Sequence, residues 1–195
     1  MKIKTIEKAN EILKKIPGIS KKQAEKFTYF VLNQNFEFAQ ELAQNILDIK
    51  TKIEFCSDCN FIREDGKCLN CDEPIKNKTL MIVESVTTLN KIDDMGIFLG
   101  YYFVLPYLMS AKGQTKKENE YSYTQLFDYI EKHNFDEVII VISPSLEGEI
   151  TTTHLLKLLA NKQIKVSRAA IGMPMGSNLE YLDTFTIKQA IKNRN

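Results

Sequence analysis

Val138-Ile139-Ile140-Val141-Ile142-Ser143-Pro144-Ser145-Leu146-Glu147-Gly148-Glu149 is the stretch on which the fold turns. Its unbroken β-branched start predicts a strand over Val138–Ile142, because branched side chains pack well on a pleated surface and are stiff in a helix. A helix over Leu146–Asn161 follows. The same alternation repeats on either side. Thr79–Val83 is a short apolar run of the kind a buried parallel strand gives, and a helix-like stretch continues to about Met95. Tyr101–Leu105 reads as the second strand, Ser122–His133 as a helix and Lys165–Ile171 as the fourth strand. Strands alternating with helices predict an α/β domain, a parallel sheet with helices on both faces. Ligands of such sheets sit at the carboxyl ends of the strands. Glu84 closes the first strand, and Glu147 and Glu149 follow the third, so the three carboxylates are expected at one edge. Convergent carboxylates can hold Mg2+ and, through it, phosphates. Acidic residues also collect at helix N-termini for dipole reasons alone.

Composition narrows the classes. The chain has 195 residues, 44% hydrophobic and 26% charged, which excludes a disordered or collagen-like protein. Lys and Arg total 26 against 25 Asp and Glu, a net charge of +1. A uniformly basic DNA-coating protein is thereby excluded, and any nucleic-acid contact must come from a local patch. No apolar run approaches the roughly 18 residues of a membrane span. Met1–Asn10 lacks the apolar core of an export signal, so a cytoplasmic protein with reduced thiols is expected.

All four cysteines lie in the pattern Cys56-x2-Cys59-x8-Cys68-x2-Cys71. Each CxxC turn aims two thiolates at one point, and two such turns offer four soft ligands to a tetrahedral Zn2+. Gly66 permits the reversal between the halves. Four thiolates leave no position for water, so the zinc is expected to be structural. A disulfide pair fits a reducing compartment poorly, an iron–sulfur cluster usually shows other spacings, and unliganded core cysteines are the plain alternative.

Before the cysteines the pattern is helical. Ile6, Ala9, Ile12, Leu13 and Ile16 recur at helical spacing, Pro17-Gly18 breaks the helix, and Ser20 with Gln23 forms a capping box for the next one. Phe36 to Leu47 suggests a third helix. Lys14 to Lys26 holds five Lys and one Glu. Lys21, Lys22 and Lys26 flank a turn whose amides adjoin a helix N-terminus, a combination suited to phosphate. The alternative is an ordinary pair of helices with a solvated Lys face. The expected division is 1–53, a helix-hairpin-helix DNA-binding region; 54–76, a zinc finger; 77–172, the α/β domain; and 173–195, a C-terminal segment.

Glu84 and the Ser143-Pro144-Ser145-Leu146-Glu147-Gly148-Glu149 segment resemble the Toprim fold of topoisomerases and primases. Those enzymes carry a Glu after the first strand and an Asp-x-Asp after the third. Here Ser143 and Ser145 stand at the Asp positions, so two charged Mg2+ ligands are replaced by hydroxyls. The order of parts, together with Gly172-Met173-Pro174-Met175-Gly176-Ser177-Asn178-Leu179-Glu180-Tyr181-Leu182-Asp183, is similar to the bacterial recombination proteins of the RecR family over nearly the whole chain. That resemblance implies a non-enzymatic mediator of recombinational DNA repair. Such proteins form rings, commonly homotetramers, around DNA, and act with RecO and RecF to load RecA at single-strand gaps. It further implies sequence-independent contact of Lys21, Lys22 and Lys26 with single- and double-stranded DNA. The RecO contact would fall to Glu84, Glu147 and Glu149, and subunit contacts to the N-terminal hairpin and 173–195. The family's His-Gly pair after the second strand is replaced by Pro106-Tyr107, and Lys112–Glu120 is unusually charged. The alternatives are a Mg2+-dependent Toprim nuclease or phosphotransferase, and a zinc-dependent interaction module without DNA affinity. His133 and His154 fall in expected helices with no nucleophile beside them and are read as surface or packing residues.

Overall fold

Residues 3–73, 76–110 and 123–194 are described in the computed structural model, and the chain divides into two units, Met1–Ile53 and Glu54–Asn195. The charged stretch Lys112–Glu120 lies outside the described residues.

The first unit is helical: α1 (Lys4–Leu13), α2 (Lys21–Leu32) and α3 (Phe36–Lys52). The capping box at the start of α2 is complete. The Gln23 amide donates to Ser20 Oγ at 3.3 Å, and the Ser20 amide donates to Gln23 Oε1 at 2.7 Å. Asn35 caps α3 by accepting the Phe38 amide at 2.9 Å. Helices α1 and α2 close on Ala24, which is fully buried, and on a 2.6 Å bond from Thr28 Oγ1 to Asn10 Oδ1. Elsewhere the apolar faces stay open. Ile6, Leu13, Phe27 and Val31 help line an apolar groove of about 430 Å³, and Phe36 is 79% exposed.

A two-stranded sheet, β1 (Ile53–Phe55) and β2 (Ile62–Glu64), starts at the last residue of the first unit and opens the second. The main sheet follows: β3 (Thr79–Val83), α4 (Val86–Asp93), β4 (Tyr101–Val104), α5 (Thr124–His133), β5 (Glu137–Val141), α6 (Leu146–Leu159) and β6 (Lys165–Arg168). A 3-10 turn, Leu179–Tyr181, and α7 (Thr184–Lys192) end the chain. The four strands run in the order β4-β3-β5-β6, all parallel. Leu80, Met81, Ile82 and Val83 are buried one after another. Since successive side chains point to opposite faces, both faces of β3 are covered. The α/β architecture is therefore as the alternation predicts.

The fourth strand is shorter than its apolar pattern predicts. Pairing runs only from Glu137 opposite Lys165 to Ile140 opposite Arg168, with one further bond from the Ala169 amide to Ile140 O at 2.9 Å. Ala169 and Ala170 are exposed. Ala169 makes the last bond to β5, and Ala170 has passed the end of that strand.

Candidate functional site

The basic turn is built by Gly18, whose φ of +83° is a left-handed conformation that side chains disfavour. The Ile19 amide donates back to Ile16 O at 3.1 Å and tightens the turn. Helix α2 therefore starts three residues after the glycine, at Lys21, with the positive end of its dipole beside the turn. Lys21, Lys22 and Lys26 are exposed, and Lys22 and Lys26 share a face. Among the described residues none of the three forms an ion pair. The carboxyl of Glu11 reports the local field. It is held below its ordinary value by its hydrogen bond to Lys14, with Lys15 and Lys21 adding to the pull.

The four cysteines come together as their spacing predicts, with all four sulfurs within 4.8 Å of one another. Cys56 Sγ lies 3.9 Å from Cys71 Sγ, and Cys59 Sγ lies 3.6 Å from Cys68 Sγ. Thiolates about 2.3 Å from one tetrahedral ion stand about 3.8 Å apart, so the cluster fits a metal ion. Two turns make it. The Asn60 amide closes the first onto Cys56 O at 3.0 Å, and the Cys71 amide closes the second onto Cys68 O at 3.1 Å. Asp65 (φ +48°) and Gly66 (φ +78°) reverse the chain between them. Hydrogen bonds accepted from Cys59 and Cys71 drive Cys68 toward the thiolate. The two donors are pushed up in turn. Metal binding must expel their protons, so affinity rises with pH.

Sequence reasoning missed a second layer that ties this knot to α5. Gln125, Tyr129 and Lys132 stand at i, i+4 and i+7, one helical stripe. Gln125 Nε2 donates to Ser57 O at 2.7 Å, Lys132 Nζ pairs with the Asp58 carboxylate, and the Tyr129 hydroxyl lies 3.6 Å from Cys71 Sγ. Burial pushes the Tyr129 hydroxyl up, with the cysteine sulfurs adding to the effect, so it stays a donor. The stripe's spacing was the available signal. Such hydrogen bonds to metal ligands contribute about 10–100-fold to affinity. Tyr129→Phe is therefore expected to lower metal affinity roughly tenfold, measured by competition with a chromophoric chelator. His133 packs against Tyr129 at 4.5 Å and Phe135 at 5.5 Å between ring centroids. Burial holds its imidazole below the ordinary value, as a packing residue requires.

The acidic edge differs from the expected convergence. Glu84 accepts the Ser143 hydroxyl at 2.5 Å and the Ser143 amide at 3.1 Å. Glu149 is engaged by both terminal nitrogens of Arg168, at 2.9 and 2.6 Å. Glu147 is half-buried near the start of α6. Among the described residues, the four cysteines are the only group of three or more whose ligand atoms all lie within 4.8 Å, so the three glutamates make no cation cage. The physical reason is plain. Ser143 stands where a metal-binding carboxylate would be needed and hydrogen-bonds the glutamate instead. Arg168 at the end of β6 neutralises a second acid.

Residues 78–170 match the Toprim domain family, and residues 172–195 match the family described as RecR, C-terminal. "Recombination protein RecR" of Mycoplasmopsis pulmonis is 35% identical over 183 residues, covering 93% of each chain. The protein of that name from Koribacter versatilis is 33% identical, over 93% of this chain and 92% of its own. That from Francisella tularensis subsp. novicida is 36% identical, over 94% and 92%.

Proposed function

The chain belongs to the RecR family of recombination proteins, and from that premise we propose that it grips the DNA backbone through Lys21, Lys22 and Lys26. Family membership itself gives it a non-enzymatic role in recombination repair. The observation that carries the DNA reading is three exposed lysines beside a left-handed glycine turn in a chain of net charge +1. Cations on a helix start hold phosphates without reading bases, so single and double strands serve alike.

The rest of the reading is a working division of labour. Residues 1–53 bind DNA, 54–76 form a finger around structural Zn2+, 77–172 form the Toprim domain, and 173–195 join subunits. Identical subunits close into a ring, a homotetramer, that encircles DNA. The apolar groove of the first unit and exposed Met175 and Tyr181 of the last segment offer surfaces for a second copy. Glu84, Glu147 and Glu149 face RecO, and with RecO and RecF the ring helps load RecA at single-strand gaps in the cytoplasm. Among the described residues no helix is long and apolar enough to cross a membrane. A Mg2+-dependent nuclease is disfavoured, because Glu84 and Glu149 already hold partners.

The test is Lys22→Ala with Lys26→Ala, read by fluorescence anisotropy on labelled oligonucleotides across a salt series. Every lysine–phosphate pairing removed reduces the log–log salt slope by about 0.9 on duplex and about 0.7 on single strands. The double substitution is expected to flatten it by about 1.8 and 1.4, and to weaken all sequences equally. An unchanged slope removes the hairpin from DNA binding. Solution mass with and without DNA checks the ring: a strict monomer excludes encirclement.

A further inference from the structure

The four-stranded sheet has two edges, and they are protected differently. On one side, β6 reads Lys165-Val166-Ser167-Arg168, with a charge at each end. Charged edges resist pairing with another chain. On the other side, β4 and the residue after it read Tyr101-Tyr102-Phe103-Val104-Leu105, aromatic and apolar, without charge or proline. Left open, such a strand is a template for pairing. Its inner side is bonded to β3. Its outer side is not open, because the cysteine knot lies along it.

The covering is made residue by residue. The Val104 amide donates to Cys59 O at 3.0 Å, and Val104 O accepts from Asn60 Nδ2 at 3.0 Å. The Tyr102 amide donates to Asn70 Oδ1 at 2.8 Å, and Tyr102 O accepts from Asn70 Nδ2 at 2.8 Å. Both alternate positions of the edge thus have donor and acceptor satisfied, as a fifth strand would satisfy them. Two asparagine side chains and one carbonyl stand in for that strand. Asn60 directly follows Cys59, and Asn70 directly precedes Cys71, so the caps are fixed by the same turns that aim the thiolates. Asn60 sits at φ +59°, and Asn70 is 3% exposed. Lys76 Nζ, donating to Asn70 Oδ1 at 3.2 Å, steadies the second cap.

We propose that the metal-bound knot is a detachable cap on the edge of β4, and that loss of the metal opens this edge to pairing with β4 of a second copy. The inference rests on metal binding by the four cysteines. The knot has little apolar interior beyond its cysteines and Phe61, so its turns depend on the ion. β3 and β5 are instead held by the buried apolar core. Removing the metal therefore frees Tyr102 and Val104 first, and the occupant at hand is an identical uncharged strand from another molecule.

The test uses full-length, zinc-loaded protein. A chelator strips the metal while a chromophore counts its release, hydrogen exchange is read residue by residue, and light scattering follows association. Expected are at least hundredfold faster exchange at Tyr102 and Val104, retained protection at Leu80 and Ile139 in the central strands, and particle growth that steepens with protein concentration. Unchanged exchange at Tyr102 and Val104 after measured release overturns the proposal. So does loss of protection at Leu80 and Ile139 in step, since the metal then holds the whole sheet. Asn70→Ala tests the cap with all cysteines in place. Metal retained with at least tenfold faster exchange at Tyr102 supports the geometry, and unchanged exchange overturns it. Protein that takes up no zinc overturns the metal premise, while the Asn70→Ala exchange still reads the capping geometry.

Discussion

Cys59→Ser is expected to emerge without metal and largely insoluble. Cys59 is fully buried, its sulfur 3.6 Å from Cys68 Sγ. A serine oxygen there is smaller, harder and protonated at any working pH, so one of four soft ligands is removed. Structural zinc contributes roughly 10 kcal/mol or more of folding free energy to sites of this kind. Ordering the knot's backbone costs about 1–2 kcal/mol per residue, and its few buried side chains cannot offset that without the ion. The consequences spread along named bonds. Ser57 and Asp58 no longer meet Gln125 and Lys132 on α5, and the caps on Tyr102 and Val104 come away. Metal content by atomic spectroscopy and soluble yield measure the outcome. A soluble, metal-free Cys59→Ser protein that unfolds in one cooperative step contradicts it, as does one with equimolar metal.

What the sequence made legible is what depends on near neighbours. The run Val138–Val141 formed a strand, and Ser20 with Gln23 closed the capping box, because backbone preference and a three-residue reach decide both. The cysteine cluster was legible for the same reason, as a CxxC turn is local and only one pairing of turns was on offer. The acidic edge was not. Glu84 meets Ser143 and Glu149 meets Arg168 through strand order and register, which no local pattern carries. An arginine in a chain otherwise rich in lysine was the one hint at Arg168, since its planar fork suits a bidentate carboxylate. The caps Asn60 and Asn70 were invisible, because polar residues in a cysteine spacer normally face water. The apolar spacing from Phe36 to Leu47 was read correctly as a helix, yet Phe36 and Leu47 remain exposed. Periodicity reports that a helix has an apolar face, not what covers it.

Gly148→Ala is expected to destabilise the chain by about 3 kcal/mol, although Ala is the better helix former by about 1 kcal/mol. The cause is a steric clash and not torsion. Gly148 lies in the first turn of α6, where its amide donates to the cap Ser145 Oγ at 3.1 Å. A Cβ at this position would stand 2.0 Å from Ser143 O and 3.1 Å from Ile142 Cγ2. The nearest atom is a backbone carbonyl that cannot rotate away. It accepts the Ser145 amide at 2.8 Å, and the same residue is bound to Glu84 through its own amide and hydroxyl. Relief therefore requires α6 to lift from the end of β5, which disturbs both the helix cap and the Glu84–Ser143 pair. Overpacking of this kind costs about 1–3 kcal/mol and more where backbone must move. In a chain of this size about 3 kcal/mol lowers Tm by roughly 6–12 °C, readable by calorimetry on zinc-loaded protein. Gly172→Ala is the matched control. Nothing lies within 4 Å of its added Cβ, so a change under about 0.5 kcal/mol is expected. Equal Tm values for the two variants would show that the close approach of α6 to Ser143 does not constrain the fold. A fall confined to Gly148→Ala, with metal content unchanged, assigns the glycine of Glu147-Gly148-Glu149 to holding the helix against the strand end.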